Sequence, residues 1–118
     1  MNKDRNNDGP FTSLKILNLD WSVTWVPKNI SSGTEKFAWA DLRNQALFIE
    51  ESLSSGKSRE SILHEILHAL YWVFDLKDKE KEERVISCLS TGLLSIFRDN
   101  PKFALWLVDK SPIGGNQP

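Results

Sequence analysis

The stretch Ser58–Phe74, SRESILHEILHALYWVF, constrains this chain more than any other. Leu63, Ile66, Leu67, Leu70 and Phe74 recur at the three- and four-residue spacing of a helix with an apolar face. Ser58 suits the N-cap, because its hydroxyl can accept from a free backbone N–H of the first turn. Glu60 and Glu65 place negative charge in the N-terminal half, where the helix dipole favours it. Ile62, Ala69, Trp72 and Val73 widen the apolar surface, so the helix is expected to be buried on most sides. Within it stand His64, Glu65 and His68, in the order His-Glu-Ile-Leu-His. Residues four apart lie on one face, one turn apart, so the two imidazoles can converge with Glu65 beside them.

An apolar helix has little reason to carry two imidazoles and a carboxylate together unless they are paired or bound. They are also the only two histidines in the chain. HExxH on a helix is the pattern in which two imidazoles hold zinc and the glutamate acts as base toward a water that the metal polarises. The bland alternative is a pair of histidines satisfied by hydrogen bonds. Zinc needs at least a third protein ligand. With no third histidine, every third-histidine class is excluded. Cys88 falls in the apolar stripe of the next helix and reads as core. Asp75 shares the face of the histidines but follows His68 by seven residues, about 10 Å along the axis. Glu80, Glu82 and Glu83 are better placed, on the helix that returns alongside. If that pair turns near Lys77, His68 faces Ile86, and Glu82 and Glu83 lie about one turn away. Periodicity slightly favours Glu82, which is nearer the centre of the apolar stripe. Glu80 reads as a solvated charge.

The remaining chain supplies the frame. Met1–Pro10 is polar and reads as a mobile arm, with no apolar core of a signal peptide. Leu14 and Ile16, and with them Asn18, share one side of a first extended segment. Trp21, Val23 and Trp25 alternate with Ser22 and Thr24, the signature of a half-buried strand that ends before Pro27. Lys28–Lys36 reads as a loop, Phe37–Asp41 as a short strand, Asp41–Gln45 as a turn, Ala46–Glu50 as another strand, and Ser52–Lys57 as a second loop. After the motif helix, Asp75–Arg84 is a charged turn that opens a second helix. Val85, Ile86, Leu89, Leu93, Ile96 and Phe97 form its stripe, and Asp99-Asn100-Pro101 stops it. Phe103–Val108 is a short helical segment, and 111–118 a flexible tail. The expected fold is α+β: an antiparallel sheet of about three strands, then a two-helix core, in one domain over residues 11–110. The chain has 118 residues and a net charge of −1, enough for one modest core and no polyanion-binding surface, so nucleic acid is not expected as a partner. Cys88 is the single cysteine, which excludes an intrachain disulfide and fits a reducing compartment. No apolar run approaches a membrane span. A cytoplasmic protein is expected.

These residues resemble the small phage-type, HExxH-containing metallopeptidase-like proteins, related to the ImmA/IrrE-type zinc peptidases and to gluzincins. The resemblance covers roughly residues 21–101. It rests on Asn44-Gln45-Ala46-Leu47-Phe48-Ile49, then Ser61 through Leu70, Glu83 before Val85-Ile86, Gly92-Leu93-Leu94, and Asp99-Asn100-Pro101. It implies a zincin-like domain with zinc held by His64, His68 and a glutamate that opens the second helix, which by position looks like Glu83. It also implies Glu65 as general base, a peptide or protein substrate, and the host cytoplasm if the chain is phage-encoded. Similarity to zincins further implies an edge strand that binds substrate, for which Ala46–Glu50 is the candidate. Tyr71, one turn past His68, is a candidate hydrogen-bond donor to an oxyanion, though core packing is the commoner use. The tryptophans read as core, with Trp39 or Trp72 able to line a cleft. Larger peptidases of the group carry Ala-Asn and Phe-Ala steps where Ile86-Ser87 and Leu89-Ser90 stand here. The competing reading is a non-catalytic, zinc-containing interaction protein of phage origin.

Overall fold

Alternation of apolar and polar residues builds the sheet. The computed structural model describes residues 9–28 and 36–109. Four strands form: β1 (Ser13–Ile16), β2 (Leu19–Val26), β3 (Ala38–Asp41) and β4 (Ala46–Glu50). Three helices follow: α1 (Ser55–Val73), α2 (Glu82–Asp99) and α3 (Pro101–Val108). The architecture is thus α+β, as expected. The proposed arm lies outside the described residues over 1–8, as do 29–35 of the proposed loop and the tail.

The sheet order is β1-β2-β4-β3. β1 pairs antiparallel with β2, and β3 antiparallel with β4, but β2 and β4 run parallel. The expectation of about three antiparallel strands therefore gives way to four strands in a mixed sheet. The β1–β2 connection is the two-residue turn Leu17-Asn18, with φ of 51° and 71°. Positive φ at both central residues matches the twist of the flanking strands. Asn18 is therefore in the turn and not on the strand face with Leu14 and Ile16. Between β3 and β4, Asp41 accepts from the backbone N–H and the Nδ2 of Asn44, and Gln45 takes φ of 53°.

One face of the sheet makes the core. Leu14, Ile16, Trp21, Val23, Trp25, Leu47 and Ile49 bury there against Ile62, Ile66, Ala69, Leu70, Ile96 and Phe103 of the helices. Phe11, Trp25, Phe103 and Trp106 meet edge-to-face or tilted at one end of this layer. There Arg59 lies over the Trp106 ring and donates through Nε to the Trp106 carbonyl at 2.7 Å, tying α1 to α3.

α1 departs from expectation in two ways. Its N-cap is Ser54, whose Oγ accepts from Lys57 N at 3.3 Å. Ser58 lies inside the helix and donates to the Ser55 carbonyl. Either serine can cap, and local sequence does not choose between them. Second, α1 is not buried on most sides. Its buried residues, Ser58, Ile62, Glu65, Ile66, Ala69 and Leu70, form one stripe, while His64, His68, Tyr71 and Trp72 are exposed. Among the described residues, one sheet face and two further helices pack against α1, which covers one side of the helix. Among the described residues, no helix is long and apolar enough to cross a membrane.

Candidate functional site

The stripe that buries α1 also aims its polar residues. Glu65 is one residue from His64 and turns about 100° toward the sheet, where it is 9% exposed. His64 and His68 stay on the outer flank. Their Nε2 atoms stand 3.2 Å apart, and the rings are inclined at 71°. Two nitrogens bound at about 2.0–2.1 Å to one zinc ion, at a roughly tetrahedral angle, stand about 3.3 Å apart. The pair therefore has the spacing of two ligands to a single ion. Without an ion, the same spacing is an imidazole–imidazole hydrogen bond, in which one ring donates and the other accepts.

The opposite wall is β3. By register, Ala38 lies beside Ile49 and Ala40 beside Leu47, so both alanines project toward α1 with the core residues of β4. Trp39 points to the other face and stacks on Phe48 at 5.1 Å. Methyl groups alone on the inner side of this strand leave a gap between it and α1. The gap holds two adjoining hollows of about 390 and 420 Å³. They share Lys36, Ala38, His64 and Glu65, and so form one cleft along the motif. His68, Trp39 and Leu42 line its far part. Glu65 faces this cleft and makes no hydrogen bond or ion pair among the described residues. Its carboxylate therefore opens onto the cleft, where a water, a proton or a cation can partner it.

The edge strand beside the histidines is thus β3. Ala46–Glu50, expected in that place, pairs on both sides, with β2 and with β3, and has no free edge. The parallel β2–β4 pairing, which no local pattern announces, pushes the β3 hairpin to the outside. The alternation Ala38-Trp39-Ala40 was the available signal, since small residues facing inward mark a strand that does not fill its own interface.

The predicted carboxylate ligands lie elsewhere. Glu82 and Glu83 are in the first turn of α2 and exposed. Gly92 meets the side chains of Leu70 and Phe74, where a turn at Lys77 would put Arg84 opposite Leu70. The connection is longer than that, and α2 is set back along α1 by roughly two turns. Arg84, next to Glu83, donates to the Phe74 carbonyl at 3.3 Å, beyond the last residue of α1. The structure brings His64 and His68 together with Glu65 lining the same cleft, but does not bring Glu83 to them. Among the described residues, no three His, Cys, Asp or Glu side chains form a group able to hold a metal ion. Two other acids of the turn, Asp75 and Glu80, have partners. Lys77 hydrogen-bonds Asp75 at 2.7 Å, which lowers the Asp75 carboxyl below its usual value, and Glu80 pairs with Arg84 at 3.3 Å. Cys88 is half-buried in α2. Tyr71 is 39% exposed, so it is not core, and it lines neither hollow.

No protein-family description, curated protein or solved structure matches the chain.

Proposed function

We propose that this chain is a zinc-dependent peptide hydrolase in which His64 and His68 hold the metal and Glu65 is the general base. The observation that carries the reading is the 3.2 Å Nε2–Nε2 spacing, at the edge of a cleft that Glu65 also lines. Zinc, if held by His64 and His68, would supply Lewis acidity toward a water and a carbonyl. Glu65, which lines the same cleft, would accept a proton from an attacking water and return it to the leaving amine nitrogen. An extended peptide adds to the outer edge of β3, which pairs with no further strand among the described residues, and hydrogen-bonds its backbone in register. We propose Glu83 as the remaining protein ligand, with Glu82 as the alternative. The ion pairs Asp75–Lys77 and Glu80–Arg84 are local to the connecting segment, and Arg84 ties it to the end of α1 through a 3.3 Å hydrogen bond to the Phe74 carbonyl, so bringing Glu83 to the histidines requires this segment and the start of α2 to move.

The test pairs two measurements on the purified chain: zinc per polypeptide, and cleavage of a broad peptide library by the wild type and by Glu65→Gln. Stoichiometric zinc with cleavage lost in Glu65→Gln supports the reading. Stoichiometric zinc without cleavage, and no difference in Glu65→Gln, leaves a non-catalytic zinc-containing interaction protein. Absence of zinc, with stability untouched by chelation, removes both.

A further inference from the structure

The hollow of about 390 Å³ extends the cleft from His64 toward the N-terminus of α1, and its chemistry differs from that of the metal end. Lys57, Ser61, His64 and His68 lie on one stripe of the helix, at intervals of three and four residues. Across from them stand Lys36 and Phe37, which lead into β3. Lys57 Nζ sits 5.1 Å from the Phe37 ring centroid, so its ammonium is held over the aromatic face, between helix and strand. Among the described residues its one carboxylate contact, to Glu60 at 3.8 Å, is long, and the Glu60 side chain, at the rim of the same hollow, is 78% exposed. Such a pair is weak and readily exchanged. Lys36 pairs with no carboxylate among the described residues.

We propose that this end of the cleft is a subsite for an acidic side chain of the substrate, with Lys57 as its principal anchor and Lys36 as a second cation. The proposal rests on the peptide-hydrolase reading above. Lys57 precedes His64 by seven residues, about 10 Å along the axis. A peptide on the β3 edge advances about 3.4 Å per residue. The acidic side chain is therefore two or three residues from the bond that is cut. On binding, its carboxylate replaces Glu60 at the Lys57 ammonium, and the Phe37 ring covers its methylene stem.

The experiment maps cleavage sites in a peptide library with the zinc-loaded full chain, its Lys57→Glu and Lys57→Met variants, and Lys36→Glu. In the wild type, Asp and Glu are enriched about fivefold over Asn and Gln at one position two or three residues from the cut, an effect that shrinks in high salt. Lys57→Glu shifts the enrichment to Lys and Arg at that position, Lys57→Met abolishes it, and Lys36→Glu reduces it. Lys57 lies on the surface, and thermal unfolding verifies that each variant folds. Glu65-dependent cleavage without an acidic preference, or with a preference untouched in Lys57→Glu, overturns the subsite and leaves the hydrolase standing. No Glu65-dependent cleavage of any peptide overturns both.

Discussion

Asn100 pairs with both backbone polar groups of Lys15: its Oδ1 accepts from the Lys15 N–H and its Nδ2 donates to the Lys15 carbonyl, each at 2.9 Å. The side chain acts as one more rung on the free edge of β1 and fixes the α2–α3 junction to the sheet. The same Nδ2 donates to the Ile96 carbonyl at 2.8 Å, satisfying the end of α2. Asn100→Ala removes all three bonds and is expected to cost about 1–3 kcal/mol. Asn100→Asp keeps the acceptor, loses the donor, and falls between. Urea unfolding of the two variants orders them, and equal midpoints for wild type and Asn100→Ala refute the rung.

The histidine pair carries a prediction about metal. Zinc should bind the wild type stoichiometrically and raise its unfolding free energy by mass action, about 2.7 kcal/mol at a hundredfold excess over Kd. His64→Ala and His68→Ala should each abolish both effects, because one imidazole alone does not hold the ion. Glu83→Gln should weaken zinc binding while Glu82→Gln leaves it unchanged. The reverse pattern assigns the ligand to Glu82, and no effect of either removes both from the metal site. Calorimetric titration with zinc reads every case.

Ala40 tests the origin of the cleft. Its methyl projects from β3 toward α1 beside Leu47. Ala40→Leu puts a branched side chain into the hollow near His68. Zinc stoichiometry and the fold should persist, while peptide cleavage falls by an order of magnitude or more, since positioning of the substrate is lost. Ala40→Ser, close to the native volume, is the matched control. Equal loss in both variants counts against steric filling.

Gly92 sets how closely α2 approaches α1. A Cβ at this position would stand 2.6 Å from Leu70 Cδ2, and Leu70 is fully buried. Gly92→Ala gains about 1 kcal/mol of helix propensity but overpacks the contact by about 1–3 kcal/mol. The net expectation is a destabilised protein. In a Leu70→Ala background the severe contact disappears and only the 3.2 Å approach to Phe74 Cε2 remains, so the cost of the same substitution should shrink or change sign. A double-mutant cycle measures that change.

Elements governed by local pattern were legible in the sequence. Trp21, Val23 and Trp25 alternate into the core as their spacing requires, and Asp99-Asn100-Pro101 ends α2, with Pro101 opening α3. His64 and His68 meet because helix geometry leaves no choice. What failed depended on distant pairing. Ala46–Glu50 reads equally well as an edge or a centre strand, and only the parallel contact with β2 decides. The setback of α2 follows from how Gly92 seats against Leu70 and Phe74, which a turn guessed at Lys77 cannot supply. The exposure of Tyr71 and Trp72 reflects which side of α1 the other described elements cover, a property of the whole fold and not of the helix.

The two banks of the cleft have unequal footing. The helical bank is rooted by Ile62, Ile66, Ala69 and Leu70, all without solvent exposure. The strand bank pairs with β4, is steadied by the Trp39–Phe48 stack on its far side, and sets only Ala38 and Ala40 against the core. Unzipping β3 breaks one ladder and withdraws two alanine methyls from the core, far less apolar contact than releasing α1 would cost, so this bank opens at lower free energy than the helical one. The aperture is then adjustable while the imidazole pair stays fixed, and a chain bulkier than the resting gap can be admitted by the yielding of four residues.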